Sequence, residues 1–250
     1  MFLTVELIKI MICFLSKTGT KLHYIEIKNI NKSFHEGVTV HKVLDDVNLH
    51  LNEGELTILL GRSGSGKSTL LNLLSGIDVP DSGQIFMNST EITLLKEPER
   101  TIFRRKNVGF IFQFFNLIPT LTVNENLHLA LELTDNFTQE GKERAKFLLN
   151  EVGLYERRNS YPDVLSGGEQ QRIAIARALV HNPGIILADE PTGNLDFRTA
   201  DKVIELLDDL VKKSGKTMVM ATHSRELTGL ADRIIEFKGK SIIVSSQRQN

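Results

Sequence analysis

From Ile25 to Ile30 and again from Val43 to Leu51, apolar and polar residues alternate, with Asn, Gly and Glu punctuating the chain between and after them. Period-two alternation sets one face of a strand on a core and the other in water, so these stretches predict a small antiparallel sheet. Three later runs, Leu56 to Leu60, Ile185 to Ala188 and Met218 to Ala221, are continuously apolar, as strands covered on both faces must be. Polar or glycine-rich residues follow each run at its carboxyl end, where open parallel sheets place their ligands. Between the strands the period changes. Leu70, Leu71, Leu73 and Leu74 make the segment after Lys67 apolar nearly all round, which predicts a buried helix that ends at Gly76. Thr122 and Glu125 have capping-box spacing ahead of Val123, Leu127, Ala130 and Leu131, an amphipathic helix pattern. The span from about 112 to 180 carries helical periodicity and none of the buried-strand runs. It predicts a helical subdomain inserted into an α/β core whose sheet is mostly parallel.

Composition narrows the class. The 250 residues are 41% hydrophobic and 24% charged, ordinary for one compact domain with a full core. Thirty basic against 31 acidic residues leave a net charge of -1, so no global field draws the chain to nucleic acid or to an anionic bilayer. The single cysteine, Cys13, excludes an internal disulfide and fits a reducing compartment. No stretch reaches the roughly 20 apolar residues that cross a bilayer as a helix. The nearest, Met1 to Leu15, is interrupted by Glu6 and Lys9 and lacks a basic lead and a small-residue cleavage site. Residues 1–24 are therefore taken as an extension of unassigned role, and residues 25–250 as the domain. No repeat of solenoid length is present.

The chemistry lies at the carboxyl ends of the apolar runs. Gly61-Arg62-Ser63-Gly64-Ser65-Gly66-Lys67-Ser68-Thr69 fits G-x-x-x-x-G-K-[ST] directly after a predicted strand and before a predicted helix, the context that gives this motif its meaning. Glycines let such a loop wrap phosphate, so that backbone N–H groups and the positive end of the helix face it. Lys67 can reach β and γ oxygens of a nucleoside triphosphate, and the Ser68 hydroxyl can ligate Mg²⁺. Asp189 and Glu190 stand together at the tip of the second apolar run. Adjacent carboxylates there are costly unless a cation or polar ligand offsets them. Asp189 suits a metal and Glu190 an attacking water.

Leu165-Ser166-Gly167-Gly168-Glu169-Gln170-Gln171-Arg172 closely resembles the signature of ABC ATPases, and the phosphate loop before it and Asp189-Glu190 after it stand in that family's order. The resemblance covers about residues 25–244. It implies that Gln113 is the Q-loop glutamine and a metal contact, Asn194-Leu195-Asp196 the D-loop, His223 the switch histidine that holds γ-phosphate and water, and Phe34 the aromatic stacked on adenine. Ser166 and Glu169 also have capping-box spacing, which alone needs no ligand; the two glycines bare a helix amino end suited to γ-phosphate. In the family that face belongs to the opposite subunit, so two chains enclose two ATP molecules head to tail.

The implied cofactors are ATP and Mg²⁺. The implied partners are a second copy, integral membrane permease subunits and a periplasmic adaptor, with no nucleic acid, at the cytoplasmic face of the inner cell membrane. Gln113 to Leu127 and Leu187 to Asp196 are similar to the branch of lipoprotein-releasing and macrolide-export ATPases; division-associated relatives that transmit force without cargo share these words. Chromosome-maintenance ATPases also have such a signature, but a long coiled coil separates their motifs, whereas Lys67 and Leu165 stand only 98 positions apart. An ATP-gated module without turnover would lack Glu190 or His223. Phe114, Phe115, Leu117 and Ile118, next to Gln113, form an apolar cluster expected to supply part of the permease-docking surface.

Overall fold

The computed structural model describes residues 23–238 and 241–247. Cys13 and all but the last two residues of the expected amino-terminal extension lie outside the described residues. In chain order the elements are β1 (Ile25–Glu36), β2 (Thr39–Leu51), β3 (Leu56–Leu60), α1 (Lys67–Leu74), β4 (Ser82–Met87), β5 (Thr90–Glu91), α2 (Glu97–Asn107) and β6 (Val108–Ile111). They continue with α3 (Val123–Leu133), α4 (Gln139–Glu151), α5 (Gly167–Val180), β7 (Ile185–Asp189), α6 (Phe197–Lys213), β8 (Thr217–Thr222), β9 (Arg233–Lys238) and β10 (Ser241–Gln247).

Two sheets form. The first is antiparallel with strand order β2-β1-β4-β5, as the alternation at its start predicts. The inward residues of β1 shift from odd positions, Ile25 and Ile27, to an even one, Ile30. A bulge explains the slip: the pairing with β2 jumps between Ile27 and Ile30, and Asn29 takes the left-handed conformation at φ 50°. Asn29 fixes the irregularity by bonding Asp46 and Asn48 across the pair at 2.8 and 2.9 Å.

The second sheet has the order β10-β9-β3-β8-β7-β6, parallel throughout except for the antiparallel pair β10 and β9. Period two sorts its side chains between two cores. Leu56, Ile58, Leu60, Ile186, Ala188, Met218 and Met220 join one core with residues of α3, α4, α5 and α6. Leu59, Ile185, Leu187, Val219 and Ala221 join the other, with α1 and the antiparallel sheet. Burial on both faces is why these strands read as continuous apolar runs. Helix α1, with Leu70, Leu71, Leu73 and Leu74 all buried, fills the space between the sheets and ends at Gly76, whose φ is +68°.

Candidate active site

The carboxyl tips of β3, β7 and β8 lie side by side, since Leu60 pairs with Thr222 and Asp189 with Ala221. The phosphate loop leaves β3 and enters α1 through Gly66, which has φ +102° and packs so closely on β2 that a Cβ there would stand 2.9 Å from Val43 Cγ1. Only glycine meets both demands. No side chain caps the amino end of α1, which leaves its first N–H groups facing the cleft as an anion site. Lys67 is 5% exposed, and its Nζ donates to the loop carbonyls of Gly61 and Arg62 at 2.8 and 3.1 Å. It also stands 3.7 Å from Glu190 Oε1.

Asp189 and Glu190 diverge at the end of β7. Asp189 Oδ1 accepts a 3.0 Å hydrogen bond from the Ser68 hydroxyl. Burial pushes the Asp189 carboxyl above its ordinary pKa; the Ser68 bond opposes that shift, neighbouring Glu190 adds to it and Lys67 opposes it. A carboxylate held against its preference in this way is one that a cation would relieve. Glu190 takes the left-handed conformation at φ 46°, and its N–H donates to Ala221 O at 2.9 Å. The turn aims its side chain back at the cleft, where Oε2 lies 2.9 Å from His223 Nδ1, a contact that fits the Nδ1–H tautomer.

A cleft of about 450 Å³ is lined by Phe34, Val43, the loop from Ser63 to Thr69, Gln113, Glu190 and His223. Gly61 and Arg62 line the adjoining hollow on the other side of the loop. Phe34, 45% exposed on β1, forms part of the apolar wall. Val43 shares that wall, although the sequence presents it only as the start of an alternating strand; its place opposite the strand of Phe34 is the signal that could have found it. Ser68, Asp189 and the Gln113 amide offer only hard oxygen donors, which suit Mg²⁺. Among the described residues no three His, Cys, Asp or Glu side chains form a metal cage.

Ser166, Gly167 and Gly168 are not among the residues lining this cleft. They form the amino end of α5, where the capping box is complete: Ser166 Oγ accepts from the Glu169 N–H, and Glu169 Oε2 accepts from the Ser166 N–H at 2.8 Å. Gly167 lies between the Phe115 ring and Leu195, each 3.4 Å from where its Cβ would be. Gly168 lies under Thr199, at the start of α6. Arg177 of α5 donates to the carbonyls of Phe115 and Asn116. The apolar cluster after Gln113 therefore divides. Phe114 and Ile118 are 68% and 37% exposed, Leu117 packs against the larger core, and Phe115 is turned to the signature glycine. Phe115 thus supports α5, a correction to its expected place in a docking patch.

Comparison with known proteins gives the family. The family model for ABC transporters matches residues 44–193. An uncharacterised ABC transporter ATP-binding protein of Mycobacterium tuberculosis is 50% identical over 90% of this chain and 91% of its own length. The lipoprotein-releasing system ATP-binding protein LolD of Psychrobacter arcticus is 45% identical over 84% of this chain and 93% of its own. Among solved structures, the dimeric post-hydrolysis state of the ATP-binding cassette MJ0796 with ADP and Pi superposes with a TM-score of 0.82 at 39% identity, covering 90% of this chain and 99% of that one. The chain belongs to the ABC transporter ATP-binding family as an ATPase.

Proposed function

We propose that this chain binds Mg-ATP in the cleft at the strand tips, pairs head to tail with a second copy, and drives a separate membrane permease. One observation carries the reading. Lys67, Ser68 with Asp189, Glu190 with His223, and Gln113 converge on one cleft, while Ser166-Gly167-Gly168 belong to another part of the same chain. A signature that lies outside its own chain's phosphate cleft supports a role at the cleft of a second copy.

In this mechanism Phe34 and Val43 receive the adenine. Lys67 exchanges the carbonyls of Gly61 and Arg62 for β and γ oxygens, while the open amino end of α1 faces the β-phosphate. Ser68, Asp189 and Gln113 would hold Mg²⁺, which supplies charge neutralisation across the β and γ phosphates. Glu190 orients and polarises the attacking water, and His223, already bonded to it, holds that water and the γ-phosphate in line. Ser166 and the N–H groups of Gly167 and Gly168 from the second copy close the site, excluding bulk water and so strengthening each of these contacts.

No helix among the described residues is long and apolar enough to cross a membrane. The proposed place at the cytoplasmic face of the inner membrane therefore depends on the permease, which Phe114 and Ile118 would meet beside Gln113. Similarity to the lipoprotein-releasing ATPase supports an export or lipoprotein-release assembly. The test is Glu190→Gln, which keeps the shape and loses the carboxylate. It should bind Mg-ATP, turn over at under about 1% of the wild-type rate as expected for loss of a general base, and accumulate as an ATP-held dimer in size-exclusion chromatography. Wild-type turnover, or a variant that stays monomeric with ATP, would contradict the two-chain site.

A further inference from the structure

Gln113 reaches the cleft from the loop after β6, and two contacts fix it there, both from the turn that follows Glu190. The Asn194 side chain donates through Nδ2 to the Gln113 carbonyl at 2.8 Å. Gly193 lies flat against the Gln113 side chain: a Cβ there would stand 2.9 Å from Nε2, 3.3 Å from Cγ and 3.4 Å from Cδ. The turn itself is closed by the Gly193 N–H donating to Glu190 O at 3.0 Å and the Leu195 N–H donating to Thr192 O at 3.1 Å. Main chain and side chain of Gln113 are thus both held by the segment that begins with Glu190. Gly193 does not have the left-handed φ of the phosphate-loop glycines, so backbone conformation is not what a glycine serves here. Space for the Gln113 amide is.

We infer that Gly193 and Asn194 are positioning residues that set the Gln113 amide in the nucleotide cleft, coupling its place to the turn that carries Glu190. The inference rests on the proposed role of Gln113 as a metal contact. Its physical content is that of a partner orienting a metal ligand: the ligand atom is in reach only while the groups behind it hold its rotamer. Both residues are exposed, so substitution costs the core nothing. In Gly193→Ala the new methyl meets only the end of a flexible side chain, and the cheapest response is for Gln113 to swing out of the cleft. In Asn194→Ala the loop loses its tether but keeps its room, so the displacement is smaller.

The test is a manganese(II) titration followed by electron paramagnetic resonance, with the purified protein saturated by a non-hydrolysable ATP analogue. Gly193→Ala should weaken manganese affinity about tenfold, the lower end of what losing an orienting partner costs, and Asn194→Ala should weaken it less. Melting temperature and metal-free nucleotide affinity should stay as in wild type for both. Gln113→Ala should show the full loss, and adding Gly193→Ala to it should cost nothing more, because the group through which Gly193 acts is gone. Undiminished manganese affinity in Gly193→Ala overturns the inference. So does a further loss in the double variant, which would mean that Gly193 acts on the Glu190 turn instead. If Gln113→Ala itself binds manganese like wild type, the assigned role of Gln113 falls and the inference falls with it, an outcome distinct from the other two.

Discussion

Two helix amino ends in this chain are built from the same materials and left in opposite states. Helix α1 begins after a glycine-rich loop and carries no side-chain cap, with Lys67 as its first residue. Helix α5 begins with Ser166 and two glycines, and its own Glu169 already occupies the end, its pKa lowered by its bonds to Ser166. Both ends attract anions through the same orphan N–H groups. The first is open, with Lys67 as its own buried cation; at the second, the charges of Arg157 and Arg172 act on a carboxylate already in place. An anion arriving at α5 meets a capping box that is satisfied without it, so affinity there is low until another surface presents the phosphate. Under the proposed two-chain site, the asymmetry would make α1 a binding site in its own right and α5 a completing half.

Substitution at α1 has the largest expected effect. Lys67→Ala removes the buried cation of the cleft, and a hydrogen bond to a charged group contributes about 1.5–3 kcal/mol, so ATP affinity should fall roughly ten- to hundredfold. The fold should survive, since the lysine hydrogen-bonds to carbonyls of its own loop and pairs otherwise with Glu190 across the cleft, not with the core. Equilibrium titration with a fluorescent ATP analogue, alongside a thermal melt, measures both. Affinity within twofold of wild type would remove the phosphate-loop assignment.

The two helix ends were also unequally legible. The phosphate loop announces itself because its residues are contiguous and its flanks are a five-residue apolar run and a leucine-rich helix. The capping boxes at Thr122 and Ser166 read equally well, being local patterns of four residues, and both form. Strand β6 is harder to read: Val108-Gly109-Phe110-Ile111 is short and holds a glycine, and it earns its place only by pairing with β7. The bulge at Asn29 breaks the very alternation that predicts β1. Helix α6 could have been read from Val203, Ile204, Leu207, Leu210 and Val211, which follow helical spacing and are all buried. What the sequence conceals is long-range contact. Asn194 and Gln113, or Gly167 and Phe115, lie far apart in the chain, and no periodicity relates them. The direction in which Phe115 turns depended on the position of α5.

Between the two helix ends lies the loop that touches both, and its neighbouring phenylalanines separate their functions. Phe114 points outward and is the more exposed, whereas Phe115 rests on Gly167. Phe114→Asp should leave ATP affinity and dimerisation within twofold of wild type. It should lower affinity for the cognate permease roughly tenfold or more, given about 1.5–3 kcal/mol for a fully buried phenylalanine. Phe115→Asp should instead weaken ATP-dependent dimerisation, because a charge beside Gly167 displaces the amino end of α5. Co-purification with the permease and size-exclusion chromatography with ATP read the two effects separately. Permease yield unchanged by Phe114→Asp would remove the docking assignment.

The smallest effect probes α5 itself. Ser166→Ala deletes both the cap and the hydroxyl offered to a second copy, and these losses have different signatures. A lost cap costs about 1 kcal/mol of stability, seen as a melting temperature lower by a few degrees whether or not nucleotide is present. A lost bond to γ-phosphate appears only when two chains and ATP meet, as roughly tenfold weaker dimerisation in the Glu190→Gln background. ATP affinity of the single chain should not move, because Ser166 lies outside its own cleft. If Ser166→Ala weakens nucleotide binding to the isolated chain as much as it weakens dimerisation, then α5 serves its own phosphate site, and the division into an open half and a completing half is wrong.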